Sequence, residues 1–508
     1  MRQDFSYQQT EKFTSLVNDY LANTESLHSF YNRYPLLENF PEQWKEKSNQ
    51  NVDRKILVDV LQKQNEFLSL SSLTKENIAA LAEQNTFTIT TGHQLCLFTG
   101  PLYFIYKIVS ALNLVEELKR TYPQNNFVPV FWMASEDHDF QEVNHVNFFG
   151  KTLRWQTEQK GAVGRMSLEG LGVVLDELDV ILGEGDNASF LSALFREAYS
   201  KHTSLSDASR FIINALFGKY GLVIIDGDDL RLKKQFLPII KKDILEKGFV
   251  DAISSCSKEL AKEYKAQAFV RDVNFFRLSE GKRERIEVDV SESEIEERPE
   301  SFSPNVLLRP LYQETILPNI AYIGGGAEVA YWMQLKTAFE QESMPFPILI
   351  LRNSCLWLEQ KQVDKWQNLE FNFSDFFIDE HQLQKQYVNK KTDLDLSDEM
   401  NALKKVFTDI LVKASGTGMQ SSILAEQKKQ IDAFDKLEKK LLKNEKKKHQ
   451  QSLHQISQLK TKLFPNNGLQ ERHDNFIPFY LKHGENFIEI LLRELKPLDV
   501  KFVILSPQ

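Results

Sequence analysis

The chain has 508 residues, 42% of them hydrophobic and 26% charged, so it exceeds one average domain and can bury a large core. Its 71 acidic and 62 basic side chains leave a formal charge of -9, which argues against a broadly basic nucleic-acid-binding surface. The three scattered cysteines, Cys96, Cys256 and Cys355, exclude a disulfide framework or a cysteine-only zinc site and favour a reducing compartment.

The amino terminus carries Asp4, Glu11 and Asp19 where a secretory signal would need a basic segment and an apolar run. No later stretch approaches the roughly 18 uncharged apolar residues of a membrane span. A cytoplasmic chain is therefore expected, with neither membrane nor nucleic acid among its partners. The 36 phenylalanines are dispersed through strand-like and helical stretches, which assigns them mainly to packing.

The first third alternates short β-branched runs with amphipathic segments, the form expected when helices cross over between parallel strands. Phe87 to Thr91 reads as a buried strand leading into Gly92. Past Gly100-Pro101, Leu102, Ile105, Ile108, Val109, Leu112 and Leu114 mark a packed helix. Phe127 to Met133 reads as the next strand. Open α/β sheets bind ligands beyond the carboxyl ends of their strands, so both strand exits are candidate sites.

At the first exit stand Thr90-Thr91-Gly92-His93-Gln94 and then Thr99-Gly100. Gly92 permits close backbone approach, exposed amides can receive phosphate or carboxylate oxygens, and His93 can donate to developing charge. The pattern is neither a Walker loop nor a GxGxxG fingerprint, and a structural turn is the competing reading. Lys107, on the following helix, faces either the core or a ligand. Cys96 nearby is read as structural, because a thiol alone does not make a nucleophile.

The second exit is Ser135-Glu136-Asp137-His138-Asp139-Phe140-Gln141-Glu142, followed by His145. Its ionisable groups are costly to pack without hydrogen bonds, opposite charges or metal. Substrate or nucleotide binding is the leading reading, ahead of a polar strand terminus and of metal ligation through Asp137 or Asp139. The segment contains no HExxH signature, and no structural metal is expected.

Gly221 to Asp226 is a further strand candidate, extended by Asp228 and Asp229. Between Val270 and Asn305 the alternation of short apolar pieces with charge suggests a small β-containing insertion, with Glu292 to Glu300 as its solvated face. Arg309 opens another apolar α/β stretch that runs through Tyr322-Ile323-Gly324-Gly325-Gly326-Ala327-Glu328. There the glycines join a strand to a helix whose amides can admit an anion. Glu328 can instead orient an amine or simply cap the helix, and Arg309 can meet either that carboxylate or an anionic ligand.

Beyond about Asp375 the pattern turns helical. Leu403, Val406, Phe407, Ile410 and Ala414 form one stripe, broken near Gly416 and Gly418. A second helix from about Ser422 carries Leu424, Ile431, Phe434, Leu437 and Leu441, and Leu453, Ile456 and Leu463 continue its apolar face. The lysines from Lys439 to Lys448 read as the solvated face of a coiled-coil arm. Pro465 to Gly468 end the arm, the polar loop Gln470-Glu471-Arg472 follows, and apolar segments return thereafter.

These segments, in this order, make the chain resemble the bacterial bacillithiol biosynthesis BshC family, whose members are described as cysteine ligases. The resemblance covers essentially the whole chain. It implies an α/β fold: a Rossmann-like, nucleotidyltransferase-related core with inserted connecting units and an α-helical coiled-coil domain associated with dimerisation. The expected division is a discontinuous core over 1–374, with insertions at about 155–215 and 255–305, a helical arm over 375–464, and a return to the core over 465–508.

By this resemblance Thr90-Thr91-Gly92-His93 occupies the place of a degenerate HxGH-like synthetase segment, with Thr90 where the first histidine would stand. Gln470-Glu471-Arg472 is the counterpart considered for a KMSKS-like segment. The implied reaction joins L-cysteine to the free amine of glucosaminyl-malate to give bacillithiol. The activating donor is left open between ATP with magnesium and a cysteine activated elsewhere. Catalytic roles are expected for His93, Asp137, His138 and Asp139. Binding roles are expected for Thr91, Gly92, Gln94, Thr99, Gly100, Lys107, Glu136, Arg309, Tyr322, Gly324, Gly325, Gly326, Glu328, Gln470 and Arg472. A homodimer through the arm is the expected assembly. The alternatives are a non-catalytic nucleotide- or sugar-binding scaffold and, less favoured, a metal-dependent hydrolase.

Overall fold

The computed structural model describes residues 1–287, 289–392 and 396–506. These residues form two compact units, one within 2–355 and 471–503, the other made of residue 1 and those within 356–470 and 504–506.

The larger unit is built on a parallel sheet of five strands: β1 (Thr86–His93), β2 (Asn126–Met133), β3 (Val223–Asp226), β4 (Asn319–Gly324) and β5 (Ile348–Leu351). Their spatial order is β5-β4-β1-β2-β3, all parallel. The chain builds outward from β1 through β2 to β3, then crosses to the other side of β1 for β4 and β5. This doubly wound order places a topological switch point between the carboxyl ends of β1 and β4, where such sheets bind ligands.

Burial on both faces explains why β1 reads as a nearly continuous β-branched and aromatic run. Phe87 and Ile89 face a core shared with Ala111, Leu114, Val115 and Leu118 of helix α1 (Tyr103–Thr121), and with Ile320, Ile323, Ile348 and Ile350. Each large aliphatic side chain buried there contributes about 1.5–3 kcal/mol. The threonines of β1 need partners instead. Thr88 and Thr90 donate to Asn319 Oδ1 at 3.2 and 2.7 Å. The Asn319 amide in turn donates to Glu314 Oε1 at 2.7 Å, on helix α2 (Arg309–Ile316). Glu314 meets Lys47 Nζ at 2.9 Å, with both side chains fully buried.

A hairpin (His145–Phe148 with Lys151–Arg154) and three helices (Leu171–Leu182, Asp186–Lys201 and Leu205–Phe217) lie between β2 and β3. Between β3 and β4 a small antiparallel sheet joins Lys282–Arg285, Phe275–Ser279 and Phe302–Pro304, so that insertion is β-containing as expected. The acidic run forms an exposed short helix, Glu292–Glu297, whose Glu292 and Glu294 pair with Lys241 and Arg277 at 2.9 and 2.8 Å. Helix α3 (Gly326–Met333) follows β4 directly.

The second unit begins at Leu356, ahead of the expected residue 375. Aromatic packing accounts for the difference: Trp366 stacks on Phe376 at 3.9 Å and lies 5.0 Å from Phe371, drawing the helix Gln360–Asn368 into this unit. Helices α4 (Glu380–Lys391), α5 (Ser397–Lys413), α6 (Gln420–Lys448) and α7 (Gln450–Leu463) follow. The stripe read on Leu403 to Ile410 lies on α5, which buries none of its residues. The expected continuation of the α6 face is corrected at His449, where the backbone leaves helical geometry and a new helix starts. Leu453, Ile456 and Leu463 are therefore buried residues of α7. Among the described residues no helix is long and apolar enough to cross a membrane.

Candidate active site

The carboxyl ends of β1, β2 and β4 open into a cleft of about 840 Å³ in the larger unit. Both predicted strand exits and the glycine-rich start of α3 border it, because the switch-point topology gathers three sequence-distant segments at one edge of the sheet.

From β1 come Gly92, His93 and Gln94. Gly92 lies across from Trp132 in the β1–β2 register, and a Cβ on it would sit 3.0 Å from the Trp132 carbonyl oxygen. The glycine is needed for the approach of β2 itself. The His93 ring contacts Tyr103 and Phe104 at centroid distances of 5.1 and 5.6 Å. Burial, reinforced by the positive charge of Lys107, pushes the His93 imidazole down to about 3. His93 is thus a neutral donor or acceptor near neutrality rather than a cation. Cys96 Sγ lies 3.9 Å from His93 Nε2, and burial, with Glu142 and Asp137 nearby, pushes its thiol up to about 12. It is a packed thiol, consistent with its structural reading.

Gln94 joins the two exits. Its Nε2 donates at 2.7 Å both to Asp137 Oδ2 and to Glu142 Oε2. Asp137 Oδ1 accepts from the His138 backbone N–H at 2.7 Å and from that of Asp139 at 3.4 Å. Burial works against the Asp137 charge, but these donors and the nearby Arg283 hold its carboxyl below the ordinary range. Asp137 is an ionised, firmly oriented acceptor. Glu136 faces the cleft too, paired with the buried Lys233. Its carboxyl is pushed up by burial against the opposing pull of that lysine.

On the β4 side the carboxylate of Glu328 accepts from the Gly325 N–H at 2.8 Å and from the Tyr322 hydroxyl at 2.6 Å, and it pairs with Lys107. Burial opposes its charge, yet Lys107 and the Gly325 N–H keep it below the ordinary range. Glu328 therefore caps its own helix, occupying the amide that sequence reasoning offered to an anion. Lys107 also donates to the Gly92 carbonyl at 2.7 Å, so this buried ammonium locks β1 to α3. Arg309 forms no ion pair with Glu328. It donates to Gln313 Oε1 at 2.9 Å and Tyr331 Oη at 3.4 Å, and its guanidinium lies 5.5 Å from the Tyr322 ring centre. Gly326, from α3, and Arg472, from the returning chain, complete this side.

Other expected residues lie away from the cleft or are engaged elsewhere. The Thr91 hydroxyl donates to the Ile323 carbonyl at 2.9 Å within the sheet, and Gly324 pairs with Leu351. Thr99 and Gly100 belong to a buried left-handed bend whose Phe98 and Gly100 carbonyls accept from the Asn475 amide at 2.8 and 2.5 Å. His138 is turned to Arg283, whose guanidinium lies 2.9 Å from its Nδ1, and Asp139 precedes the short helix Phe140–Val143. Gln470 belongs to the helical unit, where it receives the Trp357 N–H at 2.9 Å. Its neighbour Glu471 is fully buried against Arg352 at 2.7 Å.

Sequence reasoning placed Glu142 in the acidic segment without giving it a role, and it missed Arg283, Arg352 and the Lys233 that pairs with Glu136. Arg352 follows β5 immediately, so the strand-exit rule could have found it. Arg283 sits in the charged run Lys282–Arg285, which resembles any solvated hairpin. Among the described residues no group of three or more His, Cys, Asp or Glu side chains is arranged to hold a metal ion.

The fold and cleft define a doubly wound α/β domain with an open cleft at its switch point, followed in sequence by a helical domain. Residues 2–353 match the family described as bacillithiol biosynthesis BshC, N-terminal Rossmann-like domain, and residues 355–507 match the BshC C-terminal coiled-coil domain. Proteins named "Putative cysteine ligase BshC" from Flavobacterium psychrophilum and Flavobacterium johnsoniae are 45% and 44% identical to this chain. Each alignment covers 99% of this chain and 98% and 99% of those proteins, respectively. The counterpart from Christiangramia forsetii is 43% identical over 99% of this chain and 98% of its own length. The chain belongs to the bacillithiol biosynthesis BshC family.

Proposed function

We propose that this chain is a cysteine ligase that joins the carboxyl carbon of L-cysteine to the free amine of glucosaminyl-malate, forming the amide of bacillithiol. The reading is carried by one juxtaposition within a chain of this family: the bridged acids Asp137 and Glu142 border the same cleft as the arginine Arg309, which pairs with no carboxylate among the described residues. A substrate bearing both an amine and carboxylates needs such a divided lining.

The amine approaches as an ammonium and must lose a proton before its lone pair can attack. Asp137 is suited to orient that group and to take the proton as the C–N bond forms, because Gln94 and two backbone N–H groups fix its carboxylate. The neutral His93 imidazole is suited to donate to the oxyanion that develops on the acyl carbon. Arg309 is suited to a malate carboxylate. Glu328 serves this site indirectly, by holding Lys107.

A free carboxylate does not acylate an amine in neutral water, so cysteine requires activation. ATP with magnesium would supply it by placing a phosphorus-bearing leaving group on the carboxylate oxygen, whose C–O bond breaks as the C–N bond forms so that AMP or phosphate departs. Arg472 lines the cleft and pairs with no carboxylate among the described residues, which suits a phosphate chain. The exposed α5 face, with Val406 and Ile410 in contact with solvent, supports pairing of two copies through the arm.

The test supplies purified protein with glucosaminyl-malate and cysteine, with and without ATP and magnesium, and seeks the amide by mass spectrometry. Product that needs both substrates and ATP is the expected result. Folded protein that binds glucosaminyl-malate yet forms no amide under any of these conditions would overturn the ligase reading and leave a binding scaffold.

A further inference from the structure

The cleft sorts its cations into two groups. Lys107 and Arg352, which line it, pair with Glu328 and Glu471, and the lining Glu136 pairs with the buried Lys233. Arg283 also lines the cleft but forms an ion pair with no carboxylate among the described residues. Its acceptors are all neutral: Nε donates to Ser303 Oγ at 3.2 Å, one terminal nitrogen to the Pro304 carbonyl at 3.0 Å and the other to His138 Nδ1 at 2.9 Å. The guanidinium rests 4.0 Å from the centre of the Phe276 ring. A guanidinium carries five N–H donors. These contacts set its plane and leave two donors without a protein acceptor among the described residues. A bidentate carboxylate takes two parallel N–H groups and supplies the missing charge.

The backbone holds this arginine in register with the acidic segment. The loop around Gly161 packs on the hairpin so closely that a Cβ at Gly161, whose φ is +93°, would lie 2.8 Å from the Lys282 nitrogen. Two residues on, the same loop donates from Val163 N–H to the Asp137 carbonyl at 2.7 Å, and from Gly164 N–H to the Ser135 carbonyl at 2.8 Å. One loop therefore ties the hairpin bearing Arg283 to the segment bearing Asp137.

Building on the ligase reading, we propose that Arg283 binds a carboxylate of the acceptor substrate and, with Arg309, makes the cleft selective for a dicarboxylate. His138 is then a positioning residue, its Nδ1 holding the guanidinium.

Calorimetric titration of the full-length protein tests this with three probes: glucosaminyl-malate, the analogue carrying lactate in place of malate, and ATP. The wild type is expected to prefer the dicarboxylate by on the order of 10- to 100-fold, the range of a hydrogen-bonded charge contact. Arg283→Gln should bind the two sugar ligands about equally and retain its ATP affinity. Arg283→Lys, which keeps the charge without the planar fork, should restore part of the preference. Unchanged discrimination in Arg283→Gln, or a selective loss of ATP binding, would overturn the assignment. Circular dichroism establishes that both variants are folded; if Arg283→Gln is not, Arg283→Lys carries the test, and its full retention of wild-type selectivity counts against bidentate recognition. Failure of the ligase reading shows separately, as the predicted binding pattern without amide formation. A wild type that does not bind glucosaminyl-malate would overturn both.

Discussion

Two places in the sheet-bearing unit hold several charges away from bulk water, and they are resolved differently. Around Glu314 the cluster is closed: Lys47 Nζ meets Oε2 at 2.9 Å, while Asn319 and Gln313 donate to Oε1 at 2.7 and 3.0 Å. At the switch-point cleft, Arg283, Arg309 and Arg472 form no ion pair with a carboxylate among the described residues, and Asp137 accepts from the Gln94 amide and the His138 backbone N–H. Buried charge is costly wherever it occurs, so a closed cluster secures architecture, whereas an open one leaves interaction energy for a ligand.

The comparison breaks most directly at Asp137. Asp137→Asn keeps the shape of the acceptor and removes its basicity. Turnover should fall by about 10²- to 10⁴-fold, with only a modest drop in thermal midpoint from the new amide group facing a former donor, measured by product mass and by calorimetry. A large loss of stability without loss of turnover would place Asp137 with the closed cluster instead. Lys47→Met makes the complementary cut, leaving Glu314 buried without its cation. Urea unfolding should show a loss of about 3–5 kcal/mol, while turnover of the folded fraction stays near that of the parent.

Acid titration sharpens the contrast, because His93 and Asp243 respond with opposite signs. His93 has a folded value of about 3, below its unfolded value of about 6.5. As pH falls between those values the unfolded state takes up the proton first, so stability declines by at most about 1.4 kcal/mol per pH unit. Asp243, fully buried where it accepts from the Asn274 N–H and side-chain amide at 2.6 and 3.1 Å, is pushed up to about 6 by burial. Its folded state binds the proton more tightly, so its contribution falls as pH rises from about 4 to about 6. Between about pH 4 and 6 the two oppose. His93→Gln should flatten the acid-side loss and Asp243→Asn should steepen it in chemical denaturation series; identical profiles would refute both assignments. The smallest effect belongs to Cys96. With its thiol raised to about 12, Cys96→Ala should change turnover by only about twofold, and iodoacetamide should label the native thiol slowly at mildly alkaline pH.

Much of this was legible locally. The runs Phe87 to Thr91 and Phe127 to Met133 fall within β1 and β2, and the passage from Tyr322 to Glu328 is a strand, a glycine turn and a helix start. The acids after β2 stood out because polar groups at a buried strand's end need partners. Local pattern did not distinguish among those acids. Asp137 faces Gln94 across the gap between two strand exits, while Asp139 lies at the start of a short helix. Nor did it separate a helix-capping glutamate from a ligand-binding one at Glu328, because both need a carboxylate near free amides.

By itself the sequence determined which segments become buried strands, where their polar exits fall, and that long helices follow the α/β region, since these depend on the apolar periodicity of neighbouring residues. The tertiary structure alone decided which charges are neutralised. Arg352 finds Glu471 across 119 positions, and Arg283 meets His138 across 145. Sheet order brings such groups together, and no local propensity encodes contacts at that separation.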